Sequence, residues 1–390
     1  MQLENRHLTS GLNSRFNGGQ INFSDYIVRN QDMIAQVRSA HCLDNLDKIV
    51  RGNSPFQLRP ASGFPTGFKK PYKRGVLLTH GLTDSPYFMR HLATFFQECG
   101  FRVMAILLPG HGTQPGDLLN VSWHEWEKTV AYGTEQLANE VDEIYLAGYS
   151  AGGALSIYQS LNSKRVHGLF LFSPALKISS RAAWANLHKF YSWLLPSGKW
   201  VSTKPDSDAF KYESFPKNAA AQMHGLTRAL HQQLQQRELD IPVFIAASED
   251  DITSMTSATM TFMAGLRHPS SRLVLYSTNP GQYPPDFLSG KLEVVNSMSL
   301  SQRILSSAHT AIVLPPDDTH YGPDGDYSNC IHYFPDDMDK YNACINRSTE
   351  IFQGEITARN LGTGTVRRLM YNPNFASLKI SLQKFIGSLN

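Results

Sequence analysis

The stretch GYSAGG, residues 148–153, directly follows the apolar run EIYLA at 143–147. Two structures explain a serine between glycines at the end of a strand. Gly and Ser are common turn residues, so an ordinary tight turn accounts for the stretch by itself. The pattern G-x-S-x-G, here Gly148, Ser150 and Gly152, is also that of a nucleophile elbow, a strand-to-helix turn that exposes a serine hydroxyl. The rest of the chain has to decide between the two.

The composition indicates a folded chain of nearly balanced charge. Of the 390 residues, 41% are hydrophobic and 18% are charged, and the net charge is +3 with histidine neutral. This length allows one large domain or two of ordinary size. Because no run of Lys and Arg accompanies the small net charge, we expect no nucleic-acid partner. The sequence leaves the oligomeric state open.

The sequence shows no membrane-spanning or secretion segment. No apolar run approaches the roughly 18 residues that a membrane span needs. The first residues, MQLENRHLTS, lack the apolar region of a signal peptide. We therefore expect a cytoplasmic protein, and we leave open a trimmed secreted form and transient contact with a membrane surface.

Four cysteines are scattered along the chain, at Cys42, Cys99, Cys330 and Cys344. They form no C-x-x-C pair, so we expect no zinc site. Cys330 and Cys344 flank one loop-like segment and would pair in an oxidising compartment. The missing secretion signal favours reduced thiols instead.

From near residue 74, short apolar runs alternate with helical patterns. The runs have no polar alternation, as expected for buried parallel strands, and they lie at 74–80, 101–109, 143–150, 166–176 and 241–251. Helical patterns separate them, which favours a parallel α/β sheet with helices on both faces. A further strand is predicted over QRILSSAH, residues 302–309.

The presence or absence of this alternation divides the chain into four segments. These are residues 1–73, an N-terminal helical extension and strap; 74–180, the first part of an α/β core; 181–238, a cap or lid insertion; and 239–390, the second part of the core with an irregular insertion at about 279–350. The cap segment is rich in large apolar side chains: Trp184, Phe190, Tyr191, Trp193, Leu194, Leu195 and Trp200. They would serve either core packing or the lining of an apolar pocket.

The ends of the predicted strands carry side chains suited to acyl transfer. Parallel sheets form their sites beyond the carboxyl ends of the strands. There the chain places Ser150, then Asp250 and Asp251, then His309. A serine needs a neutral histidine to take its proton, and the histidine needs a carboxylate to fix its tautomer. The order serine, acid, histidine is that of the α/β-hydrolase triad.

The motifs LLTHGLTDSP, PGHGTQPGDL, SWHEW and GYSAGGA follow one another along the chain. In this order they resemble the α/β-hydrolase branch of monoacylglycerol lipases, lysophospholipases, carboxylesterases and serine aminopeptidase S33-like hydrolases. The resemblance is strongest over residues 74–176. It implies an α/β-hydrolase fold with a mostly parallel central sheet, helices on both faces and a helical cap. It also implies hydrolysis of carboxylic esters, often of acyl lipids, with no metal and no organic cofactor.

The same motifs suggest individual roles. By motif, Ser150 is the nucleophile, and the backbone amides of Leu82 and Ala151 form the oxyanion hole. In related hydrolases the acid comes three positions after the small residue that ends its strand. Counting from Ser248 gives Asp251, with Asp250 as the alternative.

Fourteen histidines are present, so position has to select the base. His309 closes the last predicted core strand and is therefore the expected base. The alternative is His320, which lies in a Pro- and Asp-rich loop. His111, in the glycine-flanked PGHG turn, is expected to bond locally and to be structural.

We therefore expect a serine hydrolase that acts on a small-molecule ester, of acyl lipids or of short to medium acyl chains. A thioesterase, an acyltransferase or a small peptidase would use the same triad. A non-catalytic binding protein would use the same fold. The Asp-rich turns after residue 315 do not have the spacing of a calcium loop, so we expect no metal site.

Overall fold

The computed structural model of this chain describes residues 3–40, 44–60, 70–177, 196–347 and 351–389. It separates into two compact units, Met1–Phe170 with Ile178–Ile241, and Leu171–Lys177 with Pro242–Asn390. The four-segment division of the sequence stays a prediction.

The first unit is built on strands ordered β1-β3-β2-β4-β5. They are β1 (Phe56–Leu58), β2 (Tyr72–Thr79), β3 (Arg102–Ile106), β4 (Val141–Tyr149) and β5 (Val166–Phe172). β2 runs parallel to β3 and β4, whereas β1 runs antiparallel to β3. All of β3 and the last five residues of β2 are buried, because these apolar strands are covered on both faces. The mostly parallel sheet predicted from the apolar runs is confirmed.

Helices connect these strands and pack on them. The first unit contains α1 (Phe23–Arg38), α2 (Leu46–Asn53), α3 (Arg90–Glu98), α4 (Trp123–Ala138), α5 (Ala151–Asn162) and α6 (Lys217–Gln236). Ser122 caps α4, since its hydroxyl accepts a hydrogen bond from the His124 N–H. α5 begins directly after Ser150 and contacts β2 and β4.

The N-terminal extension is bonded to the turn that follows β3. The Ser10 N–H donates to Asp117 Oδ1 at 2.7 Å, and the Asn13 side-chain amide donates to the His111 carbonyl oxygen at 2.7 Å. Both contacts are long-range in sequence, so the extension is an integral part of the first unit.

The predicted cap is described only from residue 196 onward. Its aromatic and apolar residues between 184 and 195 lie outside the described residues. The described portion pairs β6 (Trp200–Ser202) with β7 (Phe215–Pro216) and continues into α6. Trp200 is 4% exposed and its ring lies edge-on to His7, with ring centroids 5.1 Å apart. Trp200 therefore serves core packing.

The second unit has its own run of strands, in the order β8-β9-β10. The strands are β8 (Val243–Ser248), β9 (Arg272–Ser277) and β10 (Leu292–Asn296), and β9 runs parallel to both neighbours. The other elements are α7 (Thr256–Gly265), α8 (Met338–Ile345), β11 (Phe352–Gly354), α9 (Ala358–Leu361), β12 (Val366–Arg368) and α10 (Phe375–Gly387).

The strand predicted over residues 302–309 is wrong. Only Ile304 forms isolated bridges there, one to Ser299 and one to Gln353, and His309 begins a short 3-10 turn, His309–Ala311. Gln302 ends a 3-10 turn and Arg303 has a φ of 55°, so the run is not continuously extended, and Ser306 bonds to another part of the chain. The Ser306 hydroxyl, for example, accepts hydrogen bonds from the Glu355 N–H and from the Asn360 side chain. These contacts take the place of a strand ladder.

A disulfide joins Cys330 and Cys344 and closes the segment that contains α8. It packs in a small buried cluster with Tyr333 and Ile351. The sequence interpretation favoured reduced thiols here, and the structure shows the paired alternative.

No helix among the described residues is long and apolar enough to cross a membrane. The 20-residue helix α6 is rich in Gln.

Candidate active site

Ser150 occupies a sharp turn between β4 and α5. Its backbone φ of 53° and ψ of −113° lie outside the regions that residues with a side chain ordinarily adopt. The residue is 8% exposed. Strained backbone at a strand-to-helix turn is typical of a nucleophile elbow, so the geometry favours the elbow over an ordinary tight turn.

Two glycines allow the backbone to approach so closely around Ser150. A Cβ atom on Gly152 would lie 2.1 Å from the Thr79 carbonyl oxygen, and one on Gly148 would lie 2.2 Å from the Gly152 carbonyl oxygen. No side chain fits at these distances. The start of α5 therefore lies directly against the end of β2.

The loop after β2 passes beside Ser150. A Cβ atom on Gly81 would lie 3.2 Å from Ser150 Cβ. Leu82 follows Gly81, and Ala151 is the first residue of α5, where the N–H groups have no partner within the helix. Ala151 therefore follows the serine directly, and Leu82 lies one residue from the backbone that passes beside it; their role in an oxyanion hole stays a prediction.

Lys211 holds this loop in place. Its ammonium group donates to Thr83 Oγ1 at 3.0 Å and forms a close ion pair with Asp84. The Tyr212 N–H donates to the Thr83 carbonyl oxygen at 2.8 Å. Thr83 has a φ of 66°, in the left-handed region that threonine seldom adopts, so these bonds offset backbone strain. No sequence motif indicates Lys211, because it lies 127 residues from Asp84.

His80 and His111 are buried neutral side chains. His80 Nε2 accepts a hydrogen bond from the Leu108 N–H at 3.0 Å, and its Nδ1 donates to the Gly81 carbonyl oxygen at 2.8 Å. Burial and the neighbouring His111 hold the pKa of His80 well below its usual range, and burial lowers the pKa of His111 to about 4. His111 Nδ1 lies 3.1 Å from the Pro109 carbonyl oxygen, which confirms that this histidine bonds locally.

In the second unit, Asp251 and His309 form a buried pair. Asp251 Oδ2 lies 2.6 Å from His309 Nδ1, and the two side chains are 2% and 6% exposed. Asp251 Oδ1 accepts hydrogen bonds from the N–H groups of Thr253 at 2.7 Å and Ser254 at 2.8 Å. The carboxylate is therefore fixed by its own turn and accepts the Nδ1 proton of the imidazole.

The two alternative residues have different surroundings. Asp250 Oδ2 is buried without a hydrogen-bond partner. Burial, together with the charges of Glu249 and Glu355, raises the pKa of Asp250 to about 6. His320 Nδ1 lies 3.8 Å from Asp326 Oδ2, too far for a hydrogen bond. Of these four residues, the structure joins Asp251 to His309 and leaves Asp250 and His320 outside that pair.

The predicted site residues thus form two groups. In the first unit, Ala151 follows Ser150 and Leu82 follows Gly81, which lies beside Ser150; in the second unit, Asp251 and His309 bond to each other. The catalytic role of each stays a prediction.

A mostly parallel sheet with helices packed on it, and a serine elbow at the end of its fourth strand, define an α/β-hydrolase. The chain belongs to the serine aminopeptidase S33 family of these proteins, whose family model matches residues 70–279. The family resemblance that rested on four short motifs is confirmed.

Two curated relatives are similar to parts of the chain. A thermostable monoacylglycerol lipase from Bacillus sp. (strain H-257) is 29% identical over 177 residues, which are 45% of this chain and 70% of that protein. A carboxylesterase from Bacillus subtilis (strain 168) is 34% identical over 85 residues, which are 22% of this chain and 35% of that protein.

Solved structures include a similar metagenome-derived lipolytic enzyme, from work on LipS and LipT. It has a TM-score of 0.48 and 21% identity, and the match covers 57% of this chain and 87% of that one. The monoacylglycerol lipase of Paleococcus ferrophilus has a TM-score of 0.43 and 21% identity, over 53% of this chain and 86% of that one.

We expect Gly152→Ala to lower the free energy of unfolding by about 1–3 kcal/mol, because its Cβ would overlap the Thr79 carbonyl oxygen. Gly265→Ala, in α7, is the matched control. No atom lies within 4 Å of that added Cβ, so alanine should stabilise the helix by about 0.5–1 kcal/mol. Urea unfolding of the three proteins measures both effects. Equal midpoints for wild type and Gly152→Ala would contradict the close approach.

Asp250 should make the folded protein less stable as the pH rises. Its folded pKa of about 6 exceeds the ordinary value of 3.8, so its stabilising contribution is complete below pH 3.8 and is lost as the pH rises through 6. Asparagine cannot ionise and has nearly the same shape. We therefore expect Asp250→Asn to raise the melting temperature relative to wild type more at pH 8 than at pH 5. The same difference at both pH values would show that Asp250 does not titrate in this range.

Proposed function

We propose that this protein is a serine hydrolase that cleaves carboxylic esters through an acyl-enzyme. Ser150 is the nucleophile, His309 the general base and Asp251 the triad acid. The amides of Leu82 and Ala151 form the oxyanion hole. No metal or organic cofactor takes part.

The hydrogen bond between Asp251 Oδ2 and His309 Nδ1, at 2.6 Å, carries this proposal. A carboxylate that accepts the Nδ1 proton leaves Nε2 as the basic nitrogen and stabilises the imidazolium that forms. The strained elbow at Ser150 supports the same conclusion, because ordinary turns do not need its backbone geometry.

The proposed reaction has two steps. Ser150 Oγ attacks the ester carbonyl carbon as its proton moves to His309 Nε2, and negative charge on the carbonyl oxygen is stabilised by the two amides. The bond to the alcohol then breaks, and the alcohol takes the proton from His309. Water repeats the sequence on the acyl-enzyme, which releases the acid and restores Ser150.

We propose acyl lipids or esters of short to medium acyl chains as substrates. The names of the two curated relatives support esters: one is a monoacylglycerol lipase and the other a carboxylesterase. The family description includes aminopeptidases, so a small peptidase remains the first alternative. The acyl pocket predicted in the cap, residues 181–238, stays a prediction.

The cytoplasmic location also stays a prediction from the sequence. The disulfide between Cys330 and Cys344 is instead typical of proteins from oxidising compartments. Transient contact with a membrane surface remains an open prediction.

We expect Ser150→Ala to abolish both labelling by a fluorophosphonate probe and esterase activity, because the mutant has no hydroxyl to acylate. Its melting temperature should stay near that of wild type. The unfolding curve checks the fold, and a p-nitrophenyl ester assay checks the activity. Labelling that persists in Ser150→Ala would refute the assignment of the nucleophile.

The same assay, extended from acetate to decanoate esters and lysolipids, tests the substrate class. An apolar pocket favours each added CH₂ by about 0.8 kcal/mol, so catalytic efficiency should rise until the pocket is full. A flat profile, or faster turnover of aminoacyl amides than of esters, would instead favour the peptidase.

Two pairs of variants test the base and the acid. Asp251→Asn should lower kcat by about 10⁴, as the loss of the correct imidazole tautomer does in such triads. His309→Ala should remove nearly all turnover, because no group then takes the proton of Ser150. Asp250→Asn and His320→Ala are the matched controls and should retain most of the rate. A reversed result within either pair would transfer the role to the control residue.

A further inference from the structure

We propose that Glu355 and Arg368 are positioning residues, which fix the Asp251–His309 pair by bonding to the backbone of His309 and to the turn of Asp251. This inference rests on the proposed function. Both residues lie beyond 70–279, the range that the family model matches. Neither belongs to a motif that the sequence analysis identified.

Glu355 holds the backbone of His309. Its side chain is fully buried, and Oε2 accepts a hydrogen bond from the His309 N–H at 2.9 Å. Oε1 accepts one from the Ile356 N–H at 2.9 Å. A buried carboxylate needs such partners, because burying an uncompensated charge is costly. The position of the His309 backbone is therefore coupled to that of Glu355.

Arg368 links this carboxylate to the turn that holds Asp251. Its Nη2 donates to Glu355 Oε2 at 3.2 Å and to Thr253 Oγ1 at 2.9 Å. Its Nε lies 2.9 Å from Glu355 Oε1 but is not aligned for a hydrogen bond, so this contact is an ion pair only. The N–H of Thr253 in turn donates to Asp251 Oδ1. One guanidinium group thus connects the anchors of both catalytic side chains.

The paired strands β11 and β12 form a frame, in the sense that their backbone bonds to the loop that carries His309. Glu355 follows β11 and Arg368 ends β12, and these strands pair in parallel. The Leu305 N–H donates to the Gln353 carbonyl oxygen at 2.8 Å, and the Thr310 hydroxyl donates to the Leu369 carbonyl oxygen at 2.7 Å. The loop is therefore bonded to the frame on both sides of His309.

The contacts of Glu355 and Arg368 position the imidazole of His309, which is a role in catalysis as well as in stability. General-base catalysis depends on the position of the imidazole, and a displacement of about 1 Å can cost about 10²-fold in rate. The stretch before His309 has no strand ladder to fix it. Contacts from Glu355 and Arg368 provide that restraint.

We expect Glu355→Ala to lower kcat by about 10- to 100-fold and to change KM less than about twofold, since positioning acts on the chemical step. Glu355→Gln keeps an oxygen that can accept from the His309 N–H, and it should recover most of the rate. Arg368→Ala should lower kcat, and Arg368→Lys should recover part of it. Steady-state kinetics on one p-nitrophenyl ester give both constants.

A double mutant separates positioning from a general loss of stability. If Glu355 acts through His309, then adding Glu355→Ala to His309→Ala should lower the residual rate by less than about twofold. Asp318→Ala is the control for the loss of a buried carboxylate, because Asp318 Oδ1 accepts the N–H groups of His320 and Tyr321. It should lower the melting temperature and leave kcat near that of wild type.

Two outcomes would overturn the inference. One is a folded Glu355→Ala protein with kcat within about twofold of wild type; the other is an undiminished loss in the His309→Ala background. These two outcomes are distinct from a failure of the proposed function. In that case the Ser150→Ala and His309→Ala proteins would keep their activity. Should Glu355→Ala fail to fold, Arg368→Ala decides in its place: a folded Arg368→Ala protein with kcat within about twofold of wild type would overturn the inference.

Discussion

The close approach of backbone to backbone at the serine turn is the constraint on which the first unit depends. The start of α5 lies against the end of β2 with no room for a side chain at Gly152. This contact fixes three things together: the strained conformation of Ser150, the direction of α5 and the course of the loop at Gly81. Because packed backbone is nearly incompressible, the serine and the neighbouring amides are placed by the sheet itself.

The loops that carry the remaining functional groups need a different kind of support, and both units supply it with an ion pair. Asp84 is 2% exposed and pairs with Lys211 at 18%, while Glu355 is fully buried and pairs with Arg368 at 22%. In each pair the carboxylate lies inside and the longer cation reaches toward water, which lowers the cost of desolvation. Such pairs add little net stability compared with apolar packing, but removing one partner is costly. They therefore specify one loop conformation.

The sequence predicted the parts of the fold that depend on local pattern. Uninterrupted apolar runs identified β2, β3 and β4, and the spacing of glycines around Ser150 identified the elbow. The same reasoning failed at residues 302–309, because the apolar pattern does not reveal the turn at Gln302 and Arg303 or the bonds of Ser306 to Glu355 and Asn360. Lys211 and Glu355 were not predictable at all. Their partners lie 127 and 46 residues away, and nothing in the neighbouring sequence distinguishes them from surface charges.

The two consecutive aspartates after β8 show how surroundings can separate the roles of chemically identical groups. Asp251 accepts hydrogen bonds from two backbone N–H groups and from His309. Asp250 has a buried oxygen without a partner, and its pKa is raised to about 6 by burial and by Glu249 and Glu355. Near pH 6 it carries only part of a negative charge. The surroundings thus distinguish two adjacent carboxyl groups: Asp251 accepts three hydrogen bonds, whereas Asp250 has a buried oxygen without a hydrogen-bond partner and a raised pKa.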